Sequence, residues 1–456
     1  MTSNLKSYIA PKSFYKKILF ISVPLALNQI LSSCMGIVDT MMVSWIGNVN
    51  AVGTAAQIEN LMITIGWGVA SGVGIYCAQF YGAKRFDSLK KAFGLSLMIS
   101  LLNAFVWMLI VYFFGYQLMS FFINDISVVE NALKYLNVVY FSYIPLSLGF
   151  CFAYVYRTIQ KTQVPLIIGA ISMLTNVVFN YLLIFGKFGF PQLGVVGAAY
   201  GTLIAQSLGL VIHVVYAYFT KQEFFGSFQE MFGLDREFVS KIIRRIYPLI
   251  VNEIFFGLGN TLFIKAYGLL GPKAMDAYYI GNNIANIFFF VTMGVVTAST
   301  VLIGEQLGKH RIDTAKEYAR YMLSLAFVLS TLVGILIIVT SPSLVSLFGT
   351  LEPYTYHQAL NVVRVFALRI ALRMFNGLVF SMLRAGGDSK FLSFLDAGMM
   401  WLVGIPLSFI GVFVFGIKDI SILFLMVQLE GVVRIFFGIY RYKSGIWAQN
   451  LTNEIN

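Results

Sequence analysis

The chain has 456 residues, 58% hydrophobic and only 11% charged, and its basic residues exceed its acidic ones to leave a formal charge of +12. Soluble domains carry about 45–50% apolar and about 25% charged residues, so a water-soluble fold is excluded and the bilayer is the natural solvent. The three cysteines (Cys34, Cys77, Cys151) lie in apolar segments and the three histidines (His213, His310, His357) are far apart, which excludes a disulfide framework and a local zinc motif.

Lys6, Lys12, Lys16 and Lys17 precede the first apolar run, 18–45. That run exceeds the ~7–15 residues of a signal-peptide core and reads as a permanent span. Apolar runs follow at 56–80, 93–115, 133–156, 164–185 and 193–219, then at 246–270, 277–303, 317–340, 358–383, 391–415 and 417–440. Each is ~20 or more residues long, enough to cross ~30 Å of hydrocarbon as helix. The expected domains are a six-helix lobe at 1–219, a linker at 220–243 and a second six-helix lobe at 244–456. In the linker, Phe, Met and Leu interleave with charges, which predicts a short amphipathic surface helix at roughly 239–245. The polar tail, 444–456, is expected to be loosely ordered.

PLALNQI (24–30) returns as PLIVNEI (248–254), 224 residues later. Gly47 pairs with Gly271 at the same offset, Gly82 with Gly308 at 226 and Arg157 with Arg384 at 227. A nearly constant offset over half a chain is the mark of duplication. An even span count in each half makes the halves parallel repeats, and such halves usually enclose a transport site. Of the 32 Lys and Arg, 23 fall in termini and loops predicted cytoplasmic, four in loops predicted external (Lys134, Lys187, Lys273, Lys418) and five inside spans. This bias predicts that both termini are cytoplasmic.

No GxxxxGK[ST] occurs, so nothing cradles ATP phosphates, and transport would draw on an ion or substrate gradient. Ionisable residues inside spans are costly in hydrocarbon and mark candidate sites. Asp39 lies in span one, Asn176 and Asn180 on one face of span five, and Thr202 in span six. At 1.5 Å per residue all four sit roughly 7–14 Å below the outer surface. A carboxylate, two amides and a hydroxyl at matched depth suit a proton or Na⁺. Na⁺ at Asp39 is the only metal expected. Glu253 and Arg373 also match in depth, on spans seven and ten, and are expected to form a charge pair facing a cavity of the second half. Lys265, Arg364 and Arg369 are expected to snorkel to the interface. Glu430 and Arg434, four apart, read as a structural pair. Pro24 and Pro248 occupy one repeat position, where each can bend its helix. Runs such as Phe288, Phe289 and Phe290 are expected to face lipid.

Together VDTMMVSWIG (38–47), QFYGAKR, NYLLIFGKFGFPQLGVVGAAYGT (180–202), the NEI of span seven, GEQLGKHR (304–311) and LRAGGDSKF (383–391) resemble the multidrug and toxic compound extrusion (MATE) family over nearly the whole chain. The resemblance implies an all-α polytopic membrane protein, twelve transmembrane helices in two homologous six-helix bundles forming a V. It also implies a cation-coupled antiporter exporting amphipathic, often cationic compounds. In that family an Asp on the first helix, with polar residues on helices five and six, binds the coupling cation; Asp39, Asn176, Asn180 and Thr202 match. Glu253 matches a second-lobe Glu. Arg373 departs from the pattern, standing where such members often carry an Asp.

The expected function is therefore H⁺- or Na⁺-coupled antiport by a monomer in the cell membrane. The expected partners are organic cations or amphipathic drugs and membrane lipid, with no nucleic acid, no cofactor and no enzymatic activity. The alternative is a flippase of the wider superfamily moving an anionic lipid-linked substrate, favoured by Arg373 and Lys265.

Overall fold

The computed structural model describes residues 9–46, 49–122, 126–347 and 352–454 and is helical throughout, with the backbone alone described at a few positions such as Cys34 and Phe290. Twelve long helices follow one another: α1 (Lys12–Ser44), α2 (Val49–Gly82), α3 (Phe86–Phe122), α4 (Ile126–Thr158), α5 (Gln163–Phe185), α6 (Val195–Phe219), α7 (Arg236–Gly268), α8 (Pro272–Gly308), α9 (Ile312–Ser346), α10 (Pro353–Ala385), α11 (Ser389–Phe413) and α12 (Ile420–Ser444). Among the described residues, ten are long and apolar enough to cross a membrane; α10 stands out by its four arginines. Several helices outrun their apolar cores: α3 spans 37 residues against the 23 of its predicted run. Once nucleated, a helix extends past the hydrocarbon until a capping residue stops it. Gly186, with φ +65°, does so for α5.

The chain forms two compact units, Leu27–Ile242 (the N-unit) and Met1–Ala26 with Ile243–Asn456 (the C-unit). The units therefore divide inside α1, just after Pro24, and inside α7, before Pro248. The start of α1 packs as part of the C-unit. Phe14 meets the rings of Tyr318 and Tyr321 at 4.9 and 5.3 Å, and Lys17 pairs with Glu305 at 3.0 Å. Gly294 lets α8 approach the backbone of α1, because a side chain there would come within 2.6 Å of the Ser22 carbonyl. Gly47 lies outside the described residues; its counterpart Gly271 opens α8 with φ +98°.

Each unit has its own core. Ile58, Met62, Leu136 and Tyr143 anchor the N-unit; Val362, Phe366, Leu423 and Phe424 anchor the C-unit. In lipid no hydrophobic drive brings helices together, so close packing and internal hydrogen bonds hold them. The outward faces stay apolar. On α9, Phe327, Leu332, Leu336 and Val339 recur at helical spacing and are exposed, the lipid-facing stripe that the composition requires.

Two sequence expectations need correction. The linker's short helix lies at Phe228–Phe232, not 239–245, because Ser227 and Glu230 form a capping box there and residues from Arg236 onward already belong to α7. The linker is also pinned to the N-unit by Lys90–Glu230 (2.6 Å), Lys91–Asp235 (2.9 Å) and Lys161–Glu223 (3.1 Å), with Phe224 fully buried against Phe93 and Tyr156. The tail is docked rather than loose. Trp447 and Leu451 are buried, and the Asn450 amide donates to the Leu307 carbonyl at 2.5 Å. These apolar residues were too sparse among polar neighbours to stand out in sequence.

Candidate functional site

The site is built where α5 and α6 touch. GAAYG places Gly197 and Gly201 one turn apart on α6, and neither leaves room for a side chain. A Cβ on Gly197 would lie 2.5 Å from the Leu183 carbonyl, and one on Gly201 would overlap Asn180 Oδ1. This small-xxx-small face lets the two helices meet closely and brings Thr202 beside the amides of α5. Asn176 Nδ2 donates to Thr202 Oγ1 (3.4 Å), and Asn180 Nδ2 donates to Asn176 Oδ1 (3.2 Å) and to Asp39 Oδ1 (2.5 Å). Both asparagines are fully buried and Thr202 nearly so. The four residues singled out from matched depth thus form one hydrogen-bonded chain, ending on the Asp39 carboxylate. Asn180 Oδ1 is buried without a partner, an open acceptor beside that carboxylate.

Asp39 opens onto a cavity of about 660 Å³ inside the N-unit, large enough for a drug-sized molecule. Its wall also carries Glu59 and Asn60 of α2, Trp67, Tyr135, Phe150 and, further along, Arg157 and His213. Gly53 and Gly149 face open space there. Glu59 escaped the sequence reading because the predicted second span began at residue 56, placing Glu59 at its edge. The helix in fact begins at Val49, so Glu59 sits three turns in. An acidic residue within ten positions of a predicted span end is the signal that would have found it.

The C-unit is wired differently. The expected Glu253–Arg373 ion pair does not form. Glu253 pairs with Arg384 at 3.7 Å, while the Arg373 guanidinium lies 3.6 Å over the ring of Phe289 and the residue stays exposed. Matched depth put both on one level but said nothing about which helix faces they occupy. Phe289 is accordingly half-buried, a cation's partner rather than a lipid-facing ring. Glu430 pairs with Arg434 as expected, and Arg434 also reaches Asp396 at 2.8 Å. Asn252 bridges from α7, donating to Asp396 Oδ2 (3.0 Å) and accepting from the Ala397 amide (3.0 Å) at a π-helical turn of α11. Of the three cations expected to snorkel, Lys265 and Arg364 are exposed, while Arg369 rests on Phe366 and Phe424, 5.3 Å from each.

The duplication is visible in these contacts. Arg157 reaches back to α1 through Asn28 Oδ1 (3.2 Å), as Arg384 reaches α7 through Glu253. Asn252 meets Asp396; at the matching place Asn28 faces Gly169, where a Cβ would come within 3.2 Å of its amide. The position equivalent to Asp39, 224 residues on, is Phe263, a core residue. The Asp39 position of the cluster is therefore apolar in the C-unit.

The MatE family model matches twice, at residues 24–182 and 248–410, one copy in each repeat. The chain is 25% identical over 437 residues to the uncharacterized transporter YisQ of Bacillus subtilis, covering 93% of both chains. It is 24% identical to the multidrug resistance protein MdtK of Yersinia enterocolitica, over 86% of both. Among solved structures, the Vibrio cholerae MATE transporter VcmN in its bent form superposes with a TM-score of 0.86 at 17% identity, covering 96% of this chain and 98% of that one. A MOP superfamily transporter from Pyrococcus furiosus, whose binding pocket is described as having reverse polarity, superposes with a TM-score of 0.83 at 17% identity, covering 94% and 96%. A twelve-helix membrane fold, duplicated halves and a family match in each half make this chain a member of the MATE family of membrane transporters.

Proposed function

We propose that the protein is a proton- or Na⁺-coupled antiporter that exports amphipathic small molecules, organic cations foremost, across the cell membrane by alternating access. The observation that carries this reading is the Asp39 carboxylate, held by Asn180 at 2.5 Å and facing a 660 Å³ cavity. A carboxylate in a poorly hydrated setting takes up and releases a small cation in response to what else occupies the cavity. A cavity large enough for substrate beside that carboxylate lets the two compete, which is the requirement for exchange. Among the relatives, the multidrug resistance protein MdtK supports the substrate class. The lysine and arginine bias supports cytoplasmic termini. The protein is read as a monomer without cofactor, and its likeness to transporters supports the reading that it is not an enzyme.

A second reading rests on one observation. Arg373 is exposed on α10, and among the described residues no carboxylate lies within ion-pair distance of it, a setting that suits an anionic substrate such as a lipid-linked precursor. Proteoliposome transport under separately imposed pH and Na⁺ gradients, with labelled cationic and anionic amphiphiles, distinguishes the two. Gradient-driven movement of the cation supports antiport of cations; movement of the anion alone supports the second reading.

A further inference from the structure

Two carboxylates face the N-unit cavity, and their surroundings differ. Asp39 accepts the short hydrogen bond from Asn180, itself tied to Asn176 and through it to Thr202. Glu59 lines the same wall, yet among the described residues it receives no hydrogen bond and no ion pair. A half-buried carboxylate left without an internal partner is costly in a membrane helix, so it is retained where something from outside completes it. The wall around it is shaped for a ligand. Gly53, about one and a half turns before it on α2, leaves open space, and Trp67, two turns after it, lines the cavity with Phe150, the two rings meeting in a T-shaped contact at 4.9 Å between centroids. At the Arg157 end, His213 lines the cavity only 5% exposed, and its Nδ1 also lacks a partner.

We infer that Glu59 is the residue that selects for positive charge in the transported molecule: its carboxylate meets the substrate's cationic centre while Trp67 takes an aromatic or apolar part. Asp39 is left to the coupling ion. A free carboxylate beside aromatic faces recognises a delocalised or quaternary cation, with the charge attracted to both. The division follows from the hydrogen bonds: Asp39 is already oriented by Asn180, whereas Glu59 is free to adapt to ligands of different shape. The assignment of transport direction rests on the antiport reading, but the binding chemistry does not.

The test therefore reads equilibrium binding, without any gradient, by purified full-length protein. The probes are tetraphenylphosphonium and its near-isosteric anion tetraphenylborate. Glu59→Gln should weaken phosphonium binding about tenfold, the loss of one charge contact, and leave tetraphenylborate within about twofold. Glu130→Gln, at an exposed position on α4, serves as the control and should change neither. Unaltered phosphonium affinity in Glu59→Gln would overturn the assignment, and so would an equal loss for both probes, since that reports a structural defect. Should Glu59→Gln fail to fold, a diazirine-bearing phosphonium photolabels the unaltered protein. Label on α2 near Glu59 supports the inference, and label confined to other helices overturns it. Because no ion gradient is involved, a failure here leaves the coupling reading standing, and the reverse holds too.

Discussion

Gly201 offers a way to disturb the Asp39 cluster without touching any of its polar groups. A Cβ there would overlap Asn180 Oδ1, well inside the 3.0 Å that real Cβ atoms keep, and would approach the Asn180 backbone amide at 3.1 Å. Relief requires α6 to move away from α5 by about 1 Å, or Asn180 to turn and release Asp39. Overpacking of this kind costs about 1–3 kcal/mol. A misplacement of about 1 Å at a reacting site can cost roughly a hundredfold in rate. Gly201→Ala should therefore impair gradient-driven transport far more than it lowers the melting temperature. Two neighbouring glycines calibrate the effect. Gly197→Ala meets the Leu183 backbone at 2.5 Å, which no side-chain rotation relieves, and should mainly destabilise. Gly209→Ala meets only the rotatable Ser172 hydroxyl at 2.5 Å and should be mild in both assays. Purified variants compared by thermal unfolding and proteoliposome transport give the ranking. Wild-type transport in Gly201→Ala would refute the claim that Asn180 orients Asp39.

Four further outcomes are expected. Arg434→Met strands the largely buried Asp396 and Glu430 carboxylates, and loss of one partner of a buried pair costs about 3–5 kcal/mol; a melting temperature within error of wild type would contradict that network. Gly149→Leu projects into open space, so it should leave stability near wild type while cutting transport of bulky cations more than small ones. Trp447→Ala removes the anchor of the docked tail and should cost about 3–5 kcal/mol, read by unfolding and by proteolysis after residue 444. Outside the membrane, the hydrogen bond from Lys90, with those from the Ser227 amide and hydroxyl, holds the Glu230 carboxyl down at about 2 against an ordinary 4.5. A lowered folded-state value means this contribution is complete above pH 4.5 and fades as pH falls toward 2. Hydrogen-exchange protection across 221–235, corrected for the intrinsic rate at each pH, should therefore fall on acidification through that window, and Glu230→Gln should flatten the dependence.

The helical fold, the duplication and the residues of the Asp39 cluster were readable because each leaves a periodic or positional trace. Apolar runs mark helices, a constant offset marks the repeat, and residue counts from a span end give depth. Depth is one coordinate of three, however. It grouped Asp39, Asn176, Asn180 and Thr202 correctly, where the GAAYG face also fixed the neighbour. It failed for Glu253 and Arg373, whose actual partners, Arg384 and Phe289, are set by helix rotation. Glu59 was missed because helices outrun their apolar cores, so an acidic residue at a predicted edge lies well inside. The division of α1 after Pro24 was equally hidden, since packing of Phe14 and Lys17 on the C-unit depends on contacts nearly 300 residues away.

The most direct test of Asp39 as the coupling group is Asp39→Asn in proteoliposomes under the gradient that drives the unaltered protein. The substitution preserves shape and can still accept from Asn180, but it removes the group that binds and releases a cation. Loss of gradient-driven transport, with tetraphenylphosphonium binding at Glu59 retained, is the predicted result. Wild-type driven transport by Asp39→Asn would place coupling elsewhere in the chain.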